Sequence, residues 1–249
     1  MKSILKPILL GVLIFISSCK EDKPNNKNSK APLVIDLNAV VSTMPLELQT
    51  TLYTDHLNRN YKVELLKFYM TNWKLEKTDG SLIMLNEINL VDFSLDEPLN
   101  IEADIETGTY VNLHFGIGLD PSLNASDPVD FESSHPLSVA QNTYWTWVSK
   151  YKFFMLEGRV DAQGGTEPNS AFSYHTGFDE MYREVSISLD NLVFDNSGDS
   201  LHLELDVSKI INGTNGTIDF VTENSSHSLD ESGLTEIISD NLVNSFTLQ

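Results

Sequence analysis

An all-β domain, an antiparallel β-sandwich with long inserted loops and a short C-terminal helix, is the fold this sequence predicts. Three observations carry the expectation. Short runs recur in which apolar residues occupy every second position, the period of a half-buried strand. Turn-forming pairs such as Asp79-Gly80 punctuate the runs. From Leu33 onward the texture is uniform, with no internal repeat and no dividing linker, so residues 33–249 read as one domain. At 249 residues and 41% apolar, the chain can build a sizeable core.

In chain order, residues 1–18 come first. Lys2 and Lys6 give a positive start, Ile8 to Ile16 form a short apolar run, and Ser17-Ser18 precede Cys19. The run is too short for a permanent membrane helix and has the shape of a secretory signal. Ile16-Ser17-Ser18-Cys19 resembles a bacterial lipobox, in which cleavage leaves Cys19 as a lipidated N-terminus. Residues 1–18 are therefore expected to be a lipoprotein signal peptide. Residues 19–32 are expected to be a disordered tether, because Lys20 to Lys30 is polar and rich in Asn and Lys. Cys19-Lys20-Glu21-Asp22 resembles the Lys-acid-acid signal that sends lipoproteins to the cell surface in Bacteroidetes. The expected location is the outer membrane, on its periplasmic face or at the cell surface, with membrane contact through the lipid anchor only.

The body then alternates. Tyr61-Val63-Leu65, Tyr110 to Phe115, Val185-Ile187-Leu189 and Leu201 to Val207 each predict a strand. Thr107-Gly108, Asn196 to Asp199 and Asn212-Gly213 predict turns between strands. A terminal helix is expected around Leu234, Ile237, Ile238 and Leu242, capped by Ser232 or Asp230. Two stretches, 116–143 and 161–183, read as irregular loops and carry His135 and His175; long loops in a compact β-domain often hold function.

Composition limits the chemistry. Sixteen Lys and Arg against 36 Asp and Glu give a net charge of −20, a surface that repels phosphate backbones, so no nucleic-acid partner is expected. One cysteine forbids an intrachain disulfide or a four-cysteine metal site. The chain has no Gly-x-Ser-x-Gly elbow, no His-Glu-x-x-His and no phosphate- or dinucleotide-binding glycine loop, and it is expected to have no catalytic residues and no turnover of its own. The acidic stretches Asp127 to Asp130 and Asp190 to Asp199 match no EF-hand and read as solvated loops.

Tyr144 to Gly158 is the informative segment. Trp145 and Trp147 lie at i and i+2, which on a strand is one face. Read alone this is sandwich core. Its flanks, His135-Pro136-Leu137 before and Tyr174-His175-Thr176-Gly177 after, need another explanation.

Tyr-Trp-Thr-Trp-x-Ser-x-Tyr-x-Phe-x-x-x-Glu-Gly, with His-Pro-Leu before it and Tyr-His-x-Gly after it, resembles the MbnP-like family, proteins of the methanobactin-operon protein P type. Leu66 to Leu75, Leu90-Val91-Asp92, Phe115 to Asp120 and Asn124 follow the family's order, so the resemblance covers most of residues 33–249. It implies a copper-associated envelope β-sandwich in which a tryptophan is oxidised to kynurenine by a di-haem partner of the cytochrome c peroxidase type. Carried onto this chain, the metal ligands are His135, His175 and His227, and the modified or site-lining residues are Trp145 and Trp147. Trp145, nearer in sequence to the His135 loop, is the expected site-facing ring. The chain departs from the family in lacking a four-cysteine pattern and in reading Val34-Ile35-Asp36 where a first-strand histidine is common. Val148 and Lys150 stand where Gln and Gly are frequent. His114 and His202 alternate with apolar neighbours and are expected to face solvent, as is His56; Trp73 is expected to pack.

The expected function is a lipid-anchored envelope protein that binds or handles a metal ion, copper, through histidines and an oxidised tryptophan. The alternative is a surface-exposed, non-enzymatic interaction or ligand-binding sandwich that has lost the metal site.

Overall fold

The computed structural model describes residues 29–146, 150–165, 167–227 and 233–249. The signal peptide, Cys19, residues 19–28 of the tether, Trp147 and the two expected helix caps lie outside the described residues.

Two sheets face each other. The first is built around β1 (Lys30–Val41), whose alternate residues Ala31, Leu33, Ile35, Leu37 and Ala39 are buried. The second is organised by β2 (Asn60–Lys77), which turns through Asp79-Gly80 into β3 (Leu82–Asp92). Next come β4 (Asn100–Glu106) and β5 (Gly108–Ile117), then β6 (Lys150–Val160), β7 (Ser170–Gly177), β8 (Arg183–Phe194) and β9 (Asp199–Asp206). In the five-stranded sheet β1 pairs with β9 on one side and with β4 and Met44–Pro45 on the other; β10 (Phe246–Leu248) closes the far edge of β9. The nine-stranded sheet runs β8, β5, β2, β6, β7 and then Ser225–Ser226. There β3 and Tyr53–Thr54 also pair with β2, and Tyr144–Trp145 pairs with β6.

The all-β sandwich is as expected, and its pairing is mostly antiparallel. Among the described residues two pairings are parallel: β1 with β9, and β7 with Ser225–Ser226. Strand partners distant in sequence can run parallel because long connections join them.

The apolar spacing along β2 has a physical reading. Its core residues are Tyr61, Val63, Leu66, Phe68, Met70, Trp73 and Leu75, so the two-residue step lengthens to three at two places. Register shifts fall between Val63 and Leu65 and between Thr71 and Lys74, where Asn72 adopts φ 55°. Each bulge re-phases the strand and keeps its apolar residues on the core face. The expected Tyr61-Val63-Leu65 alternation is thereby corrected: the first bulge turns Leu65 aside and Leu66 takes the core position.

The nine-stranded sheet is covered on its outer face too. Tyr69, Leu119, Leu137, Tyr151, Phe153 and Met181 form a second, smaller core under the 116–143 loop, which contains the short helix α1 (Pro121–Asn124). Burial on both faces accounts for the near-continuous apolar run from Tyr151 to Leu156. After β9, α2 (Val207–Ile211) leads to the Asn212–Gly213 hairpin. The expected C-terminal helix is α3 (Leu234–Val243), which buries Leu234, Ile238 and Leu242 at i, i+4 and i+8.

Candidate metal site on the outer face of the large sheet

The stretch expected to be an irregular loop at 161–183 contains β7, so His175 lies on a strand. Gly164, Gly165 and Pro168 hide the strand start from a pattern reading, and burial of both faces from Tyr174 to Gly177 erases the alternation. Phe172 and Tyr174 stack on Phe220 in the sandwich core. Strand alternation then turns Ser173 and His175 to the outer face, where Ser173 is opposite Glu157 and His175 opposite Met155. Gly158, next to Glu157, is required by packing: a Cβ there would lie 2.1 Å from the Lys62 carbonyl oxygen.

Two further segments complete the cluster. Ser225–Ser226 adds to β7 beside Ser173 and Tyr174, which delivers His227. Tyr144–Trp145 folds back on the start of β6, and the Tyr144 ring packs edge-on against Tyr151 at 4.9 Å, which anchors the adjoining Trp145. The Trp145 ring centre is 5.3 Å from that of His175 and 5.8 Å from that of His227, stacked on the latter at 27°. The two imidazoles are 4.8 Å apart, nearly perpendicular. Lys152 Nζ sits 5.3 Å from the Trp145 ring centre, within range of a cation–π attraction.

The polar contacts are asymmetric. His175 Nε2 lies 2.7 Å from Glu157 Oε1, and the Ser173 hydroxyl lies 3.3 Å from His175 Nε2 and 3.4 Å from His227 Nε2. His175 is 8% exposed, and its Nδ1 is buried without a hydrogen-bond partner. An unmet buried polar atom costs about 1–3 kcal/mol, so such an atom calls for an explanation. Burial pulls the His175 pKa down to about 4, against the opposing pull of Glu157. Burial also lowers those of His227 and Lys152. At neutral pH the His175 ring is therefore an uncharged imidazole with a lone pair to give.

His135 is elsewhere. Its ring stacks on Phe131 at 4.3 Å, its Nδ1 accepts from the Leu137 N–H, and the neighbouring residues act as an anchor. Tyr69 donates to the Pro136 carbonyl and Tyr151 to the Leu137 carbonyl, each at 2.9 Å, while Leu137 is fully buried in the second core. The expectation that Trp145 meets the His135 loop is thus corrected: its ring meets His175 and His227. Strand pairing ends at Trp145 and Thr146 lies in a turn, so no shared strand face with Trp147 is described.

The remaining histidines are set apart. His202 is exposed, with Nδ1 2.7 Å from Asp36, and His56 is exposed. His114, expected to face solvent, is only 30% exposed at its side chain because it pairs with Glu76 at 3.0 Å. Trp73 is fully buried, as its packing reading required. In the acidic run, Asp127 caps the turn Pro128–Asp130. Glu157 stood in the aromatic motif as its Glu-Gly pair without an assigned role, and Ser173 and Lys152 were not singled out by sequence reasoning. Ser173 had a signal, since i and i+2 share a face once β7 is read as a strand.

Among the described residues no group of three or more His, Cys, Asp or Glu is arranged to hold a metal ion. Those residues include no helix long and apolar enough to cross a membrane. No curated protein matches the chain. Among solved structures it is similar to MbnP from Methylosinus trichosporium, with 14% identity, 74% of this chain and 78% of that chain covered, and a TM-score of 0.47. The sequence profile of the MbnP family matches residues 30–229. A match over that much of its length settles the relationship: this chain belongs to the MbnP family.

Proposed function

We propose that the protein is a lipid-anchored envelope protein that binds copper, as Cu(I), through His175 and His227, with Trp145 beside them, and that it turns over no substrate. The observation that carries this is the buried, unpartnered Nδ1 of a neutral His175 set 4.8 Å, ring to ring, from a second imidazole. Imidazole nitrogen is a good donor to copper. Two imidazoles suit Cu(I), which accepts low coordination numbers, and fall short of the four ligands of a structural zinc site. Bound copper would supply a redox-active or transferable metal centre. The protein's own part is to hold two imidazoles in place, that of His175 buried and neutral.

Trp145 is the tryptophan this reading assigns to conversion into kynurenine by a di-haem partner, because its ring adjoins both imidazoles. The lipid anchor at Cys19 rests on the lipobox-like residues 16–19, and the outer membrane is the matching location. The test is metal analysis of protein purified from its native envelope. Copper near one equivalent, lost in the His175→Ala/His227→Ala double variant, is expected, with kynurenine at Trp145 by peptide mass spectrometry. Native protein free of copper that also ignores added Cu(I) would end the reading and favour the alternative of a ligand-binding sandwich without metal.

A further inference from the structure

The Glu157 carboxylate and the bare nitrogen of His175 are two ends of one ring. A neutral imidazole carries one proton, and an ionised carboxylate can only accept. The 2.7 Å contact therefore places that proton on Nε2 and leaves the lone pair on Nδ1. Nδ1 is the atom that is buried and without a partner. The Ser173 hydroxyl, 3.3 Å from the same Nε2, gives Nδ1 nothing. A histidine kept only for packing would gain from satisfying both nitrogens, whereas one meant to ligate gains from one nitrogen held and the other open.

We propose that Glu157 is a positioning residue: it holds the His175 proton on Nε2 and so presents Nδ1 as the donor atom toward a copper ion. The inference rests on the copper reading above and adds which nitrogen binds and which side chain selects it. A carboxylate on the far nitrogen of a ligating histidine fixes ring orientation and raises the donor's basicity. Glu157 is 40% exposed at its side chain, so replacing it leaves no large void.

The experiment measures tautomer and affinity separately. Long-range ¹H–¹⁵N correlation spectra of the metal-free, histidine-labelled protein report which nitrogen of each ring is protonated, with the His175 signals assigned by their loss in His175→Gln. The expected result is Nε2–H with bare Nδ1 in the wild type, a mixture of tautomers in Glu157→Ala, and retention of Nε2–H in Glu157→Gln, whose amide oxygen still accepts. Cu(I) affinity by competition should fall about 10–100-fold in Glu157→Ala and by less in Glu157→Gln, with thermal melts showing that both variants are folded. Copper binding by a wild-type protein with His175 in the Nδ1–H form overturns this proposal alone. Equal affinity losses in the two variants, with the tautomer kept in Glu157→Gln, also overturn it, since Glu157 would then act as a ligand. A wild-type protein with the Nε2–H form that takes no Cu(I) overturns the copper reading, and Glu157 is then a structural partner only.

Discussion

His135 and His175 each stand in a short motif beside the aromatic segment, and the fold treats them in opposite ways. His135 sits in the 116–143 loop, half-buried against Phe131, with Nδ1 already accepting from the Leu137 N–H. His175 sits on β7 with Nε2 tied to Glu157 and Nδ1 left bare in a buried setting. In the first motif the firmly held part is Pro136-Leu137, pinned by Tyr69 and Tyr151. In the second the histidine itself is buried, and its neighbours leave one of its nitrogens open.

The contrast can be broken most severely at Leu137. Truncating this fully buried side chain should destabilise the protein by about 2–5 kcal/mol in urea unfolding, the range for a leucine cut back to alanine in a core. His135→Ala, in the same loop, should stay within about 1 kcal/mol, the usual scale for a replacement that leaves no cavity. A His135→Ala loss as large as that of Leu137→Ala would erase the distinction.

The second test is metal affinity. His175→Gln should weaken Cu(I) binding by more than about 100-fold, the loss of a direct ligand exceeding that of a residue that only supports one. His135→Gln, on the same competition assay, should leave affinity within about threefold, well under the roughly 1.4 kcal/mol that a tenfold change represents. Equal losses in both variants would bring His135 back into the site.

A smaller effect concerns pH. The His175 pKa is near 4 in the folded protein, against an ordinary value of 6.5, so the unfolded chain takes up this proton first as pH falls. Its contribution to stability is complete above about 6.5 and is lost as pH drops from there to about 4. Unfolding free energy measured across that interval should show a steeper slope in the wild type than in His175→Gln. Parallel curves would mean that the ring is not held neutral by burial.

Much of this was legible in the sequence, and the failures have causes. The strands β8 and β9 were readable because one face is buried and the other wet, which is what a two-residue period reports, whereas β5 slips phase at Val111, leaving Tyr110 and Leu113 in the core. β7 was missed because His175 and Thr176 are buried on opposite faces. β2 was read out of phase at Leu65, since a bulge adds a residue without altering composition. The grouping of His227 with His175 and Trp145 came from the family resemblance and from no pattern in the residues themselves. It depends on Ser225–Ser226 pairing with β7, a contact that residue spacing does not encode. Trp145 was chosen as the site-facing ring for its nearness to His135, and the structure puts it beside different histidines.

The parallel pairing of β1 with β9 governs the order in which the molecule can assemble. Asp36 and His202 are register partners separated by 166 residues of chain. β1 occupies the middle of its sheet, with β4 on one flank and β9 on the other. A nascent chain can therefore lay β4 against β1 early, but the other flank stays open until β9 emerges. Contacts of that sequence separation slow the search for the native state, which puts folding toward the millisecond-to-second end of the range for β proteins. During synthesis the open flank is an unpaired strand edge, the feature most prone to pairing with a neighbouring chain.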